Sequence, residues 1–347
     1  MLLISYGTRP EWLKVKPVIE ELKKRNLPFF TLFTGQHEHL VEGNSADYRL
    51  TIPKEYYVDR LNKILFEVIA GTGALLHESS QIKWVMVQGD TTSALGVALA
   101  AFNAGRKVVH LEAGLRTHDL ESPYPEEGNR QLISRIAQIH FCPTHTNFIN
   151  LMNEGKNHYN EKFVVGNTAL DNLLNYKERC EYQDKVLVTL HRRENHATIE
   201  KWFKSINELA KQFPETEFIL PIHPNPNVQK HRHLLTAVKV IDPLPHEELL
   251  EILIKCKLVI TDSGGLQEEA SFFNKKVLVC RDETERPEAV GITSFMSGDP
   301  NVITELYHYH VVDSSPEVEQ DECPFGDGNA AKQIVDVLLD LVYDQAY

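Results

Sequence analysis

Short apolar runs rich in β-branched residues recur along the whole chain, and a longer amphipathic stretch follows most of them. In the first half the runs are Leu2–Tyr6, Phe29–Thr34, Trp84–Val87, Lys107–Leu111, Ile139–Cys142 and Phe163–Val165. In the second half they are Val186–Leu190, Glu217–Ile222, Val238–Ile241, Leu258–Thr261 and Val277–Cys280. Helical spacing fills the intervals, as in Glu11–Arg25, Thr91–Ala104, Ile199–Phe213, Glu247–Cys256 and Gly265–Phe273. Near-continuous apolar strands alternating with helices predict parallel sheets covered on both faces, because a strand buried on both sides has no polar face to alternate with. The expected class is therefore α/β with two Rossmann-like domains in tandem. The break is expected at Gly166-Asn167-Thr168, giving domains over 1–168 and 169–328, with a hinge near 166–180. A last helical stretch, Ala330–Tyr343, follows the turn-rich Pro324–Gly328; as segment 329–347 it is expected to pack back on the first domain.

Composition narrows the function classes. The 347 residues hold 36 Lys and Arg against 49 Asp and Glu, a formal net charge of −13. A chain so acidic lacks the basic face that a nucleic-acid backbone or an anionic membrane requires. The five cysteines are scattered singly, without a Cys-x-x-Cys pair, which speaks against a disulfide framework or a zinc knuckle. No basic signal region opens the sequence and no apolar run approaches the ~18 residues of a membrane span. A soluble, cytoplasmic protein is expected, with no metal. The pairs His37/His39, His231/His233 and His308/His310 have no accompanying carboxylate or cysteine cluster. His246-Glu247-Glu248 lacks the second histidine of a zinc protease, and Gly71-Thr72-Gly73, which follows a helical pattern, is no dinucleotide fingerprint.

Ligands of open α/β sheets bind beyond the carboxyl ends of the strands, so the residues after each strand carry the functional reading. After the first come Gly7-Thr8-Arg9-Pro10-Glu11, with Arg9 and Lys14 near a helix N-terminus suited to a phosphate. Solvated cations at a helix start are the plain alternative. Gln88-Gly89-Asp90-Thr91-Thr92 follows the third, and Asp90 is either a functional carboxylate or a helix cap. Glu112 ends the strand Lys107–Leu111, where a bare carboxylate is costly without a task or a partner such as Arg116. The loop Ser122–Arg130 packs Glu126, Glu127 and Arg130 beside two prolines. Together Asp90, Glu112 and Glu126 supply carboxylates for acid/base chemistry at one sheet edge. In the second half, His191-Arg192-Arg193-Glu194-Asn195, His223-Pro224 and Asp262-Ser263-Gly264-Gly265 end strands, the last opening a helix whose amides suit a pyrophosphate. Glu269, further along that helix, suits two ribose hydroxyls. Arg281 and Arg286 follow the strand Val277–Cys280, to serve phosphate charge or to neutralise their own acidic loop.

These strings, in one order and joined by His110-Leu111-Glu112-Ala113-Gly114-Leu115-Arg116, Pro125-Glu126-Glu127-Gly128-Asn129-Arg130 and Arg286-Pro287-Glu288, closely resemble the non-hydrolysing UDP-N-acetylglucosamine 2-epimerases. The resemblance runs from residue 3 to about residue 330. It implies a GT-B fold, with parallel sheets facing a central cleft, and inversion at C2 of a UDP-N-acetylhexosamine, UDP-GlcNAc or a deoxy or modified analogue. The route is elimination of UDP to a glycal, followed by re-addition. It implies catalytic roles for Asp90, Glu112, Glu126 and His191, and substrate contacts from Arg9, Lys14, Arg116, Arg130, Arg192, His223, Ser263, Gly264, Gly265, Glu269 and Arg286. It also implies no cofactor, a UDP-sugar as ligand and a homodimer. A GT-B glycosyltransferase, a hydrolysing epimerase and a non-catalytic UDP-sugar sensor are the alternatives. The chain departs from the common family pattern at Gln36-His37-Glu38-His39 and at His196-Ala197-Thr198-Ile199, where many members carry a Gln-His-x-x-Gln segment and a Gly/Phe-rich stretch.

Overall fold

The structure is a computed structural model that describes residues 1–36, 46–53, 59–154, 160–284, 286–315, 318 and 323–343. The chain divides into two compact units, Met1–Asn172 with Gly328–Tyr347, and Leu173–Asp327.

The first unit runs β1 (Leu2–Tyr6), α1 (Arg9–Lys24), β2 (Phe29–Phe33), β3 (Tyr48–Arg49), α2 (Arg60–Glu78), β4 (Trp84–Gln88), α3 (Thr92–Asn103), β5 (Lys107–Leu111), α4 (Glu126–Ile136), β6 (Ile139–Cys142), α5 (His145–Asn153) and β7 (Glu161–Val164). Its seven strands lie in the order β3-β2-β1-β4-β5-β6-β7, all neighbours parallel. Alternate side chains of one strand enter opposite layers, as the period of two demands. Leu2, Ile4 and Tyr6 of β1 join Trp84 and Met86 of β4 in one core layer. Leu3, Val85 and Val87 enter the other, against Val68 of α2 and Ala94, Val97 and Ala98 of α3.

Helix α1 shows how local sequence sets an element. Thr8 accepts the Glu11 amide while the Glu11 carboxylate accepts the Thr8 amide at 2.7 Å, a reciprocal capping box that satisfies two of the orphan donors of the first turn. Pro17, inside the helix, has no N–H for the Leu13 carbonyl. That carbonyl accepts instead from Asn172 Nδ2 at 2.8 Å.

The second unit runs α6 (Leu174–Lys177), β8 (Lys185–Thr189), α7 (Ile199–Gln212), β9 (Glu217–Pro221), α8 (Pro226–Gln229), β10 (Lys239–Ile241), α9 (His246–Leu253), β11 (Leu258–Thr261), α10 (Gly264–Phe272), β12 (Lys276–Val279), β13 (Ser294–Met296) and α11 (Ile303–Tyr307). Its six parallel strands take the order β10-β9-β8-β11-β12-β13. Val186, Val188, Leu258 and Ile260 pack under Trp202, Phe203 and Ile206 of α7. Both sheets have the doubly wound Rossmann order, so both have a switch point where the chain leaves in opposite directions: between β1 and β4, and between β8 and β11.

The final helix α12 (Ala330–Leu338), continued by a π-turn over Leu339–Tyr343, belongs to the first unit. Its Ile334, Val335 and Leu338 are fully buried with Val15, Val18, Ile19 and Leu22 of α1, and each such side chain stabilises by roughly 1.5–3 kcal/mol. Asp171 accepts the Ala331 amide at 2.8 Å, fixing the start of the helix.

Two expectations are corrected. Ser122–Arg130 is not one loop: from Glu126 onward it is α4, whose first-turn Glu126 and Glu127 complement the helix dipole. Gly71-Thr72-Gly73 lies inside α2 rather than after a helical pattern. A Cβ on Gly71 would come within 2.7 Å of Leu50 Cδ2, so close packing explains that glycine. Strands β3 and β13 were not expected from the sequence.

Candidate active site

At the switch point of the first sheet, the loop after β1 is closed by its own acid. Buried Glu11 accepts the Gly7 amide at 2.6 Å and the Thr91 hydroxyl at 2.6 Å as well as the Thr8 amide. Burial pushes its carboxyl above the ordinary range against those bonds. The amides of Gly7 and Thr8 are therefore occupied within the chain, which leaves charge at this loop to side chains. Thr91 in turn caps α3 by accepting the Ala94 amide. Ser93 carries the contacts onward, donating to Gln36 Oε1 at 2.6 Å.

Next to this loop, Asp90 follows β4 and is held by the Arg130 guanidinium, with Nε and one terminal nitrogen each 2.8 Å from Oδ2. Asn129 Nδ2 donates to the Asp90 carbonyl at 2.8 Å, so the first turn of α4 fixes both backbone and side chain. Burial raises the Asp90 carboxyl above its ordinary value; Arg130 and Lys14 oppose the rise and the Glu112 charge adds to it. Glu112 stands at the end of β5 with φ +64°, a left-handed conformation that costs a non-glycine residue roughly 1 kcal/mol or more. Its two oxygens are engaged by Lys14 Nζ and Gln88 Nε2. Asp90, Glu112, Lys14 and Arg130 thus form one electrostatic cluster. Glu126 starts the α4 turn that also carries Asn129 and Arg130, and its Oε2 is buried without a hydrogen-bond partner among the described residues.

Behind the cluster sit two buried histidines, paired across β5 and β6. His110 Nε2 lies 2.8 Å from the Gly89 carbonyl. Burial pushes His110 down to about 4 and His140 to about 3, the neighbouring His110 contributing to the second. Both imidazoles are neutral at physiological pH.

The switch point of the second sheet is organised by Asp262, fully buried after β11. Its carboxylate accepts the amides of His191 and Arg192 at 3.0 and 2.9 Å and Asn195 Nδ2 at 3.0 Å. His191 Nδ1 stands 3.4 Å from the same group. The His191 ring stacks on His223, with centroids 5.4 Å apart and planes 17° off parallel. Burial first, then the charges of His191 and His196, depress His223. Ser263 caps α10 by accepting the Leu266 amide at 3.4 Å. These groups border a pocket of about 270 Å³ lined by His191, His223, His246, Ser263, Gly265 and Glu269 with apolar walls of Pro243, Leu244 and Leu249. A Cβ on Gly265 would meet nothing within 4 Å among the described residues, so protein packing does not require glycine there. His246 Nε2 lies 2.8 Å from Glu269 Oε1.

Residues 20–339 match the family model described as UDP-N-acetylglucosamine 2-epimerase. The chain belongs to the UDP-N-acetylglucosamine 2-epimerase family. The UDP-N-acetylglucosamine 2-epimerase of Campylobacter jejuni is 36% identical over 377 residues, covering 97% of each chain. The solved UDP-GlcNAc 2-epimerase of Neisseria meningitidis, bound to UDP-GlcNAc, is similar with a TM-score of 0.81 and 36% identity over 98% of this chain and 99% of that one. A putative UDP-N-acetylglucosamine 2-epimerase from Listeria monocytogenes gives a TM-score of 0.85 at 30% identity, over 99% and 96%. Two Rossmann-like α/β domains of the GT-B type are the fold of this epimerase family and of this chain.

Within the epimerase fold, the expected site residues fall into two sets. Asp90, Glu112, Lys14 and Arg130 come together in the first unit, with Glu126 on the adjoining helical turn. His191, His223, Ser263, Gly265 and Glu269 line the pocket of the second, and Gly264 is the buried first residue of α10. Arg9 is exposed at the first position of α1. Arg192 contributes its amide to Asp262. Arg116 stands apart: its side chain is fully buried, paired with Glu154 and donating to Ser134 Oγ at 2.9 Å. It is not the partner of Glu112. Arg286 is ion-paired with Glu268 of α10, and Arg281 with Glu194 at 2.6 Å, both partners lying outside the arginines' own loop.

Sequence reasoning passed over several residues. Glu127 is buried and ties down the chain before α4 by accepting the Thr117 amide at 3.1 Å and Gln131 Nε2 at 2.9 Å. The sequence pattern gives Gln88 no signal beyond its string, Asp262 none beyond its loop, and His246 none beyond an incomplete zinc motif. Among the described residues no group of three His, Cys, Asp or Glu could hold a metal ion, while His37 and His39 lie outside them. Among the same residues no helix is long and apolar enough to cross a membrane.

Proposed function

We propose that the chain is a non-hydrolysing epimerase that inverts C2 of a UDP-N-acetylhexosamine by eliminating UDP and adding it back. The C2 proton beside an acetamido group is barely acidic in the intact sugar. Departure of the nucleotide builds an oxocarbenium-like centre at C1, and the adjacent C2–H then becomes labile. Inversion requires a proton to leave one face and return to the other, so more than one acid/base group is needed. The observation that carries the reading is the first-unit cluster. Asp90, raised by burial, and Glu112, held in a strained backbone by Lys14 and Gln88, are two carboxylates in different environments on one sheet edge. Asp90, Glu112, Glu126 and His191 are assigned the chemistry, and Arg9, Lys14 and Arg130 the charge around it. The second-unit pocket is assigned the nucleotide, with Ser263 and the α10 amides for phosphate and Glu269 for the ribose hydroxyls. A homodimeric, cytoplasmic enzyme without a cofactor is part of the same proposal.

Turnover of UDP-GlcNAc in D₂O, followed by proton NMR, tests the mechanism. Both epimers are expected to gain deuterium at C2 while free sugar stays at background. An inverted product that retains its C2 proton refutes elimination. Free N-acetylmannosamine as the main product refutes the non-hydrolysing reading.

A further inference from the structure

We propose that His246 is a positioning residue that presets the Glu269 carboxylate for a ribose diol and so makes the nucleotide pocket selective for ribonucleotides over 2′-deoxyribonucleotides. The proposal rests on the reading of this pocket as the nucleotide site.

The two residues come from different helices, His246 from the first position of α9 and Glu269 from the middle of α10, and both line the same pocket. The imidazole Nε2 donates to Oε1 at 2.8 Å, and among the described residues this is the one hydrogen bond the carboxylate receives. A glutamate has three rotatable bonds, and ordering them only when a ligand arrives weakens binding. The histidine contact removes that cost in advance and leaves Oε2, with the second lone pair of Oε1, to accept hydroxyls. Two acceptors on one rigid carboxylate match the two adjacent hydroxyls of a ribose. A deoxyribose offers one of them. The pocket of about 270 Å³, with Pro243, Leu244 and Leu249 as apolar wall, sits near the lower end of small-ligand sites of roughly 300 Å³ and suits one nucleoside end of a larger molecule.

Calorimetric titration of the full chain with UDP and with 2′-deoxy-UDP tests this. The wild-type protein is expected to prefer UDP by about tenfold, the loss of one hydrogen bond to a charged acceptor. His246→Phe keeps a ring in place but removes the donor; UDP, which uses both acceptors, is expected to weaken more than deoxy-UDP, so the preference falls to about twofold. His246→Gln, whose amide nitrogen stands in for Nε2, restores it. If His246→Phe weakens both ligands equally, the residue serves packing alone and the positioning role is overturned. An unchanged preference overturns it too. A wild-type protein that binds neither ligand refutes the nucleotide reading of the pocket, and the role of His246 with it.

Discussion

Acidification from pH 7 to pH 5 is expected to cost the first unit about 4 kcal/mol of stability through two buried side chains. His110 and His140 have their imidazoles pushed from the ordinary 6.5 to about 4 and about 3, mainly by burial. The folded values are depressed, so the unfolded chain binds protons that the folded chain refuses. The stabilisation is complete above about pH 6.5 and is lost as pH falls toward 4 and 3. At pH 5 both groups remain neutral in the folded state and are protonated in the unfolded one, which costs 1.5 pH units at about 1.4 kcal/mol each, or about 2 kcal/mol per histidine. Both folded values lie below 5, so this figure depends only on the unfolded value and not on how deep either depression runs. Urea unfolding followed by tryptophan fluorescence reads it. A Trp202→Phe background leaves Trp12 and Trp84, both in the first unit, as reporters. His110→Gln keeps an N–H for the Gly89 carbonyl but cannot titrate. The variant is less stable at pH 7, yet its loss between pH 7 and pH 5 is expected to be about 2 kcal/mol smaller than that of the parent. Equal losses in the two proteins, within about 0.5 kcal/mol, would refute the neutral buried pair.

Further outcomes follow from the two switch points. Arg130→Met removes the cation that holds Asp90 down, so the pH at which activity reaches half its plateau should move upward; an unmoved pH–rate profile for kcat/KM would separate Asp90 from the rate. Asp262→Ala leaves the amides of His191 and Arg192 and the Asn195 side chain without their buried acceptor, costing about 2–4 kcal/mol by thermal unfolding and abolishing UDP binding. Gly7→Ala places a Cβ 2.1 Å from Thr34 Oγ1 and should destabilise by about 1–3 kcal/mol. Gly265→Ala meets no protein atom and should leave the melting temperature unchanged or slightly higher while weakening UDP, as calorimetry would show.

The α/β class was legible because a parallel strand buried on both faces has to be apolar throughout. Trp84–Val87 and Leu258–Thr261 read as strands for that reason, and both are buried throughout. Strand β3 has two residues and β13 three, too few for a pattern to form. Helix α4 was hidden by the prolines before it, which marked a loop more loudly than Ile133 and Ile136 marked a helix. The residues at the strand ends were visible because topology alone directs ligands there. Their partners were not. Lys14 meets Glu112 across 98 positions, and His246 meets Glu269 across 23, at spacings to which no local period applies. Arg116, near Glu112 in sequence, pairs instead with Glu154, 38 positions further on.

The first unit is closed by residues from both ends of the sequence, and this has a consequence for synthesis. As the chain leaves the ribosome, β1 to β7 can pair and cover part of α1, but Val15, Val18, Ile19 and Leu22 lack their α12 partners through the whole of the second unit, until Ile334, Val335 and Leu338 arrive. The second unit, contiguous over Leu173–Asp327, has no such dependence and can finish first. The later half can therefore finish before the earlier one. A stop a few residues before α12 would release a protein with an intact second-unit pocket and an open, aggregation-prone seam on the other unit.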